Sequence, residues 1–262
     1  IGAGAAGLMC AAEALKRNRS VLIIEKSNRA GKKILISGGG RCNFTNLNIK
    51  PEAYISKNPH FCKSALSRYT QWDIIALLES FQLTWKEKRL GQLFCDQKSS
   101  AVLSALLKNC QGAHIELNVE TFAIKKEQNF ILSTSNGNYE SQSLVIATGG
   151  PSIPKMGATD FGLKIAKQFG LKSIFFKPGL VPYTFHQQDI NTYFKNLSGL
   201  SLDVIVSCKN TSFREGLLIT HKGLSGPAIL QISSYWKEGE SIKINLLPDL
   251  NANEYLLKMQ KE

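Results

Sequence analysis

Three glycines open the chain at a spacing that suits a phosphate. Ile1-Gly2-Ala3-Gly4-Ala5-Ala6-Gly7 reads as the turn from a strand into a helix. In such a turn Gly2 permits the tight bend, Gly4 lets the backbone approach a pyrophosphate, and Gly7 lets the helix pack close to the strand. The helix N-terminus adds free N–H groups and a partial positive charge. Glu25 follows about twenty residues later, at the end of the apolar run Val21–Ile24, where an acid can accept hydrogen bonds from ribose hydroxyls. An acid there disfavours a 2′-phosphate, so NADP is a poor candidate for this site. Glu25 also reads as an ordinary charge at a strand end. Ser37-Gly38-Gly39-Gly40-Arg41-Cys42-Asn43 makes neither a stable helix nor a strand. Its backbone N–H groups can line a cofactor, and Arg41 can meet an anionic or electron-rich partner; a flexible linker is the plainer reading. Ala147-Thr148-Gly149-Gly150 ends another apolar run and brings more bare backbone to the same ligand, although alone it is also a common strand-end turn.

Two side chains could do chemistry. Cys42 invites a thiol redox role, against its reading as a small packed residue. His221, in Thr220-His221-Lys222-Gly223, stands at a strand end before a glycine turn and could transfer a proton to a bound ligand. The competing reading has Thr220 and His221 capping a helix that begins near Pro227. His60, His114 and His186 read as surface or structural.

The elements that must position these residues follow from periodicity. Leu8, Ala11, Ala12 and Leu15 recur at helical spacing over 5–17, and Val21–Ile24 has the continuous apolar run of a parallel strand buried on both faces. The order strand, glycine turn, helix, strand, acid is a βαβ unit. Helices are expected over 58–80, over 99–107 with Ser99 or Ser100 as cap, over 161–169 closed by Gly170, and over 227–235. A short strand-like stretch with a turn at Gly91 covers 82–95. A three-stranded meander is expected over 115–125, 130–135 and 139–145, with Asn136-Gly137-Asn138 as one turn. Past Lys177-Pro178-Gly179 the pattern turns to β, over 180–185, 202–207, 216–220 and 241–245, and a basic tail of Lys258 and Lys261 ends at Glu262.

With 262 residues, 43% hydrophobic and 20% charged, the composition is that of a globular protein with a sizeable core. No apolar run reaches the roughly 18 residues that would span a bilayer, and no secretory signal is visible. The net charge of +12 could attract nucleic acid, anionic lipid or a phosphate-bearing cofactor. The lysines are spread along the chain with no basic block, so composition favours scattered solvated charges over a nucleic-acid partner. The six cysteines, Cys10, Cys42, Cys62, Cys95, Cys110 and Cys208, include no C-x-x-C pair. No metal site or redox dithiol is expected, and a reducing, cytoplasmic compartment fits best.

Four segments carry a family resemblance: Ile1–Gly7, Gly31–Asn46 with its Ser-Gly-Gly-Gly-Arg-Cys-Asn-x-Thr-Asn core, Ala147–Pro151, and Thr220–Pro227. The chain resembles the BaiN-like (YhiN-like) bacterial flavoproteins, FAD-dependent oxidoreductases of the glutathione-reductase superfamily. It departs from their pattern at Thr159-Asp160-Phe161-Gly162, where Thr-Gly-Asp-Gly is usual. A second departure is Gly91-Gln92-Leu93-Phe94-Cys95, where Gly-Arg-x-Phe-Pro is usual. The resemblance implies an α/β fold: a Rossmann-like FAD-binding domain with a β-meander crossover over 1–177, and an inserted, mainly β domain covering the flavin over 178–262. It implies bound FAD, with Gly2, Gly4, Ala5, Ala6 and Gly7 at the pyrophosphate and Glu25 at the adenosine ribose. The Ser37, Gly38, Gly39, Gly40, Arg41, Cys42 and Asn43 loop would lie along the flavin, and Val119 by the adenine. Lys26, Lys33, Ala147, Thr148, Gly149 and Gly150 complete the cofactor-binding set. NAD(P)H is the implied electron donor and a small organic molecule the implied substrate, by hydride transfer. An FAD-dependent RNA-modifying protein and a flavin-binding module without turnover are the alternatives. A strand is expected before Ile1 and a closing segment after Glu262, so residues 1–262 alone should bind FAD poorly. The oligomeric state is not implied.

Overall fold

A computed structural model describes residues 1–260, which divide into two compact units, 1–176 and from Lys177 onward. Lys261 and Glu262 of the expected basic tail lie outside the described residues. Among the described residues no helix is long and apolar enough to cross a membrane.

The first unit begins with helix α1 (Ala5–Leu15), whose Leu8, Ala11 and Ala12 are buried at helical spacing. Strand β1 (Leu22–Ile24) follows, then the short helix α2 (Lys32–Ile36) and strand β2 (Asn43–Asn46). The expected helix over 58–80 is two helices, α3 (Lys63–Arg68) and α4 (Gln71–Ser80). Thr70 ends the first and caps the second, its N–H and hydroxyl both donating to the Asp73 carboxylate. Strands β3 (Trp85–Glu87) and β4 (Gln92–Cys95) pair antiparallel, and β2 lies on the other edge of β4. Helix α5 (Lys98–Asn109) is capped by neither Ser99 nor Ser100. Ser99 is buried and its hydroxyl instead donates to the Leu35 carbonyl, tying α5 to α2.

Strand β5 (His114–Glu116) pairs parallel with β1, in the register Ile23 to Ile115. The meander strand expected over 115–125 is therefore broken: its first part joins this sheet, and the chain turns at Asn118, which has a left-handed φ of 58°. The meander itself is β6 (Thr121–Lys126), β7 (Phe130–Thr134) and β8 (Gly137–Ser141). Backbone pairing continues beyond β1 on its other side. The Gly2 N–H donates to the Ile24 carbonyl at 2.8 Å, and the Ala147 N–H donates to the Ile1 carbonyl at 2.8 Å. The lateral order is thus β5, β1, residues 1–2, residues 145–147, with the glycine turn in the middle. Ile23 and Ile24 are buried, but Leu22 is 38% exposed, because it borders a groove of about 950 Å³ that Leu132, Leu144 and Val145 also line. Helix α6 (Phe161–Gln168) closes the unit, with Gly170 in the left-handed conformation just beyond it.

The second unit is a five-stranded antiparallel sheet packed on a helix. Its strands are β9 (Tyr183–Thr184), β10 (Ser201–Cys208), β11 (Thr211–Thr220), β12 (Gly223–Ser225) and β13 (Lys243–Asn245), after helix α7 (Gln187–Tyr193) which follows β9. The order is β13, β10, β11, β12, β9. Val204, Val206 and Cys208 alternate inward along β10 and pack with Leu217 and Ile219 against Ile229 and Ile232 of helix α8 (Pro227–Ser233). Helix α9 (Ala252–Met259), which periodicity did not mark, is capped by the Asn251 side chain accepting from the Asn253 N–H.

Candidate functional site

The glycine turn is held by close backbone approach. A Cβ on Gly2, where φ is 103°, would stand 2.5 Å from the Ala147 carbonyl oxygen, so only glycine lets residues 1–2 lie beside 145–147. A Cβ on Gly7 would meet the Gly2 carbonyl oxygen, which sets how near α1 comes to the turn. Gly4 differs from both: nothing stands within 4 Å of a Cβ placed there. Gly4 is also the N-cap of α1, and no side chain caps the helix. Ala5 and Ala6, in the first turn, are exposed. The uncapped N–H groups therefore border open space and offer an anion donors and a favourable dipole end.

Glu25 leaves β1 beside this turn. Its carboxylate accepts from the Ala3 N–H and from the Ser27 N–H, each at 2.8 Å. Glu25 thus has the strand-end structural role in full: it fixes the turn to the end of β1. A carboxylate has about four acceptor sites, so the same group keeps capacity for a ribose hydroxyl. Val119 is buried, and its N–H donates to the Glu25 carbonyl at 3.0 Å, which puts the two expected adenosine-side residues together. Lys26 is turned to an exposed ion pair with Glu120 at 2.6 Å.

On the other side, the Gly31 N–H donates to the Ala3 carbonyl at 2.8 Å, anchoring α2 to the turn. Lys33 then reaches across, its Nζ 3.3 Å from the Gly150 carbonyl and 3.1 Å from the Ser152 hydroxyl. That contact joins the Gly31–Asn43 segment to Ala147–Gly150. Gly149 has a φ of 72° and open space where a Cβ would be. The Thr148 hydroxyl is buried without a partner, close to Gly162 of α6.

The triple-glycine loop is a tight turn with Gly38 and Gly39 in left-handed conformations. A Cβ on Gly38 would fall 2.7 Å from the Phe94 ring and 2.8 Å from the Asn43 nitrogen, so the loop lies on β4 through bare backbone. Arg41 and Asn43 are exposed. The Cys42 side chain is buried in the core with Cys95, and burial pushes its thiol up from the usual value. It is a packed thiol, and only its backbone faces the loop. All six cysteines are free.

His221 is exposed at the tip of the β11–β12 hairpin. Thr220 and His221 do not cap α8: that helix starts at Gly226 without a side-chain cap, and the Thr220 hydroxyl donates to the Gly223 carbonyl inside its own turn. The expected residues Gly2–Gly7, Glu25, Val119, Lys33 and Gly149–Gly150 thus converge within the first unit. Sequence reasoning missed Gly31, Ser27, Ser152 and Phe94. Only Phe94 had a legible signal, the alternation of Gln92–Cys95 that buries Leu93 and Cys95 and leaves Phe94 on the other face.

Residues 1–209 match the family described as HI0933-like protein Rossmann domain, and residues 177–262 match HI0933-like protein barrel and H2TH domain. A ribosomal RNA dihydrouridine synthase of Escherichia coli K12 is 48% identical over 260 residues, covering 98% of this chain and 65% of its own length. A protein of the same name from Haemophilus influenzae is 46% identical, with 97% and 65% covered. A 3-dehydro-bile acid delta(4,6)-reductase of Clostridium scindens is 24% identical, again with 97% and 65% covered. The chain therefore spans just under two thirds of the length of each of these relatives.

Proposed function

This chain belongs to the HI0933-like family, and we propose that it is the FAD-binding part of an oxidoreductase that reduces a carbon–carbon double bond of uridine in ribosomal RNA. One observation carries the cofactor assignment. The open Gly4 backbone at an uncapped helix end, Glu25 tied to Val119, and Lys33 tied to Gly150 form one continuous cradle of the length and donor pattern that suits an extended dinucleotide. The residues fit the group. Gly4 and the first turn of α1 would hold the pyrophosphate, Glu25 the ribose, and the Gly38–Asn43 backbone the flavin side. Bound FAD supplies hydride transfer at its ring.

The substrate class rests on the relatives' names. Dihydrouridine is uridine with its ring double bond reduced, and the bile-acid relative is also named as a reductase, so the small-molecule reading keeps the same chemistry with another substrate. The identity to the two RNA-named relatives favours RNA over the small molecule, and it outweighs the dispersed lysines that argued against a nucleic-acid partner. NADH or NADPH is offered as the electron donor. His221 is offered as the group that donates the accompanying proton.

The test is reduction of unmodified ribosomal RNA by full-length holoprotein with NADH or NADPH, read as dihydrouridine in digested RNA. Absence of flavin from the purified protein removes the cofactor assignment. Bound flavin that either nucleotide reduces, with no dihydrouridine formed, removes the RNA reading and leaves the oxidoreductase. For His221, the variant His221→Gln should keep its flavin and lose most turnover. Turnover within about twofold of wild type removes it from the mechanism.

A further inference from the structure

Residues 177–262 carry nine Lys and Arg against eight Asp and Glu, so nearly all of the net charge of +12 sits on residues 1–176. The sheet of β2, β4 and β3 gathers part of that charge around one aromatic ring. Along β4, Leu93 and Cys95 are buried, and Gln92 and Phe94 face the other way. Lys86 stands opposite Phe94 in the β3–β4 register and so shares its face. The Lys88 ammonium lies 4.3 Å from the centroid of the Phe94 ring, and the Arg41 guanidinium lies 5.9 Å from it. Among the described residues neither cation has a carboxylate within ion-pair distance. Lys86 has one contact, Asp96 at 3.4 Å, and its side chain is 80% exposed.

The adjoining hairpin tip is Arg89-Leu90-Gly91. Leu90 is 60% exposed and has a φ of 58°, a conformation in which a bulky L-residue is strained. It is held there because its carbonyl accepts from the Asn46 side chain at 2.9 Å, while the Gly91 carbonyl accepts from the Leu47 N–H at 2.8 Å. An apolar side chain is thus presented to solvent between cations. Two positive charges drawn over one ring without a counter-charge repel each other, and a bound anion relieves that repulsion.

We propose that this face, with Arg41, Lys86, Lys88 and Arg89 around Phe94 and Leu90 at the tip, holds the phosphodiester backbone of single-stranded RNA beside the triple-glycine loop. The proposal rests on the reading of this chain as an RNA-modifying protein. Its position carries it further: Phe94 packs directly on Gly38, so a strand gripped by these cations passes next to the loop assigned to the flavin. A single strand fits the chemistry, because a base must leave its stack to reach an enzyme's reactive centre.

The experiment uses full-length holoprotein and a fluorescently labelled single-stranded RNA oligonucleotide, with anisotropy read across a salt series. The Lys86→Ala/Lys88→Ala protein should bind about tenfold or more weaker, and the slope of log affinity against log salt should fall by about two. Its flavin content should equal that of wild type. The Lys86→Arg/Lys88→Arg protein should bind as wild type does, which separates lost charge from a disturbed sheet. Wild-type RNA binding that the alanine pair leaves unchanged overturns this surface while the RNA reading stands. No RNA binding by wild type, with or without binding of poly-glutamate, overturns both. Loss of flavin from the alanine pair also overturns the proposal, since the cations would then serve the cofactor.

Discussion

Gly4→Ala and Gly7→Ala are each a single added methyl in one turn, yet they should fail in opposite ways. At Gly7 the new Cβ would be far inside contact distance of the Gly2 carbonyl oxygen and 3.5 Å from the Ala147 side chain. The neighbour is backbone, so no rotamer change relieves it. α1 must move off the turn, and that strains the bonds from Gly2 to Ile24 and from Ala147 to Ile1. Overpacking of this kind costs about 1–3 kcal/mol, and each backbone hydrogen bond lost adds about 0.5–1.5 kcal/mol. A total of about 2–5 kcal/mol is a large part of an ordinary domain's stability of about 5–15 kcal/mol. At Gly4 a Cβ meets nothing, and φ of −86° with ψ of −173° is open to alanine. The folded state should lose at most about 1 kcal/mol, the cost of alanine at an N-cap. The methyl would occupy the space assigned to the pyrophosphate, and FAD affinity should fall about a hundredfold, about 2.7 kcal/mol. The assay pairs thermal melts of the flavin-stripped proteins, so that ligand linkage does not enter, with FAD titration by flavin fluorescence. Apo Gly4→Ala should melt within about 4 °C of wild type and bind FAD poorly. Wild-type FAD affinity in stable Gly4→Ala protein refutes the cradle.

Three further outcomes follow from the same contacts. Glu25→Gln keeps one acceptor and turns an NH₂ toward a backbone N–H, so it should cost about 1–3 kcal/mol of stability and weaken FAD about tenfold; unchanged values in both titrations would show the carboxylate to be dispensable. Cys42, buried and with its thiol pushed up, should resist iodoacetamide at neutral pH while partly exposed Cys10 reacts, and rapid labelling of Cys42 by peptide mapping would contradict the packed assignment. The Glu116 carboxylate is held below the usual glutamate value by hydrogen bonds from Tyr139 first and Asn136 second, linking β5 to the meander. A lowered folded-state value stabilises above the unfolded glutamate value and fades as pH falls through the folded one, so Tyr139→Phe should flatten the acid side of the melting-temperature profile. An acid limb identical to wild type would remove that link.

The fold was legible where burial imposes a period and opaque where one local contact overrides it. Leu8, Ala11 and Ala12 mark α1 because a helix buried on one side repeats every three to four residues, and Val204, Val206 and Cys208 mark β10 because a half-buried strand alternates. The helix expected over 58–80 failed on one pair of side chains, Thr70 and Asp73, which start a new helix inside a run whose apolar spacing is uninterrupted. Ser99 failed similarly: a serine at a helix start is a cap only if its hydroxyl stays local, and here it reaches the Leu35 carbonyl 64 residues away. The break at Asn118 follows from a pairing that sequence does not print, since 114–116 leaves the meander to lie parallel to β1. The cap at Asn251 was readable and passed over in a segment whose apolar residues are all exposed.

Legibility of the site divides along the same line, between what glycine lacks and what side chains reach. A glycine is chosen by a clash or a conformation at its own position, so Gly2, Gly7 and Gly38 announce themselves without knowledge of their neighbours. Their neighbours then turn out to be Ala147 and Phe94, which local sequence does not tie to them. Lys33 shows the opposite case. Nothing local distinguishes it from Lys32, and only α2 carries its ammonium to Gly150 and Ser152. Glu25 lies between the two. Its distance from the glycines marks it, but the fold uses the carboxylate first to bind Ala3 and Ser27, so the ribose role is an addition to a structural one. The basic face on β4 is the least legible of all, because dispersed lysines look solvated until register places Lys86 beside Phe94 and cation–π contact draws Lys88 and Arg41 onto the same ring. A charge count along the chain therefore misjudges this protein's partner: what recruits a polyanion is the local density of uncompensated cations, and that density is set by strand pairing.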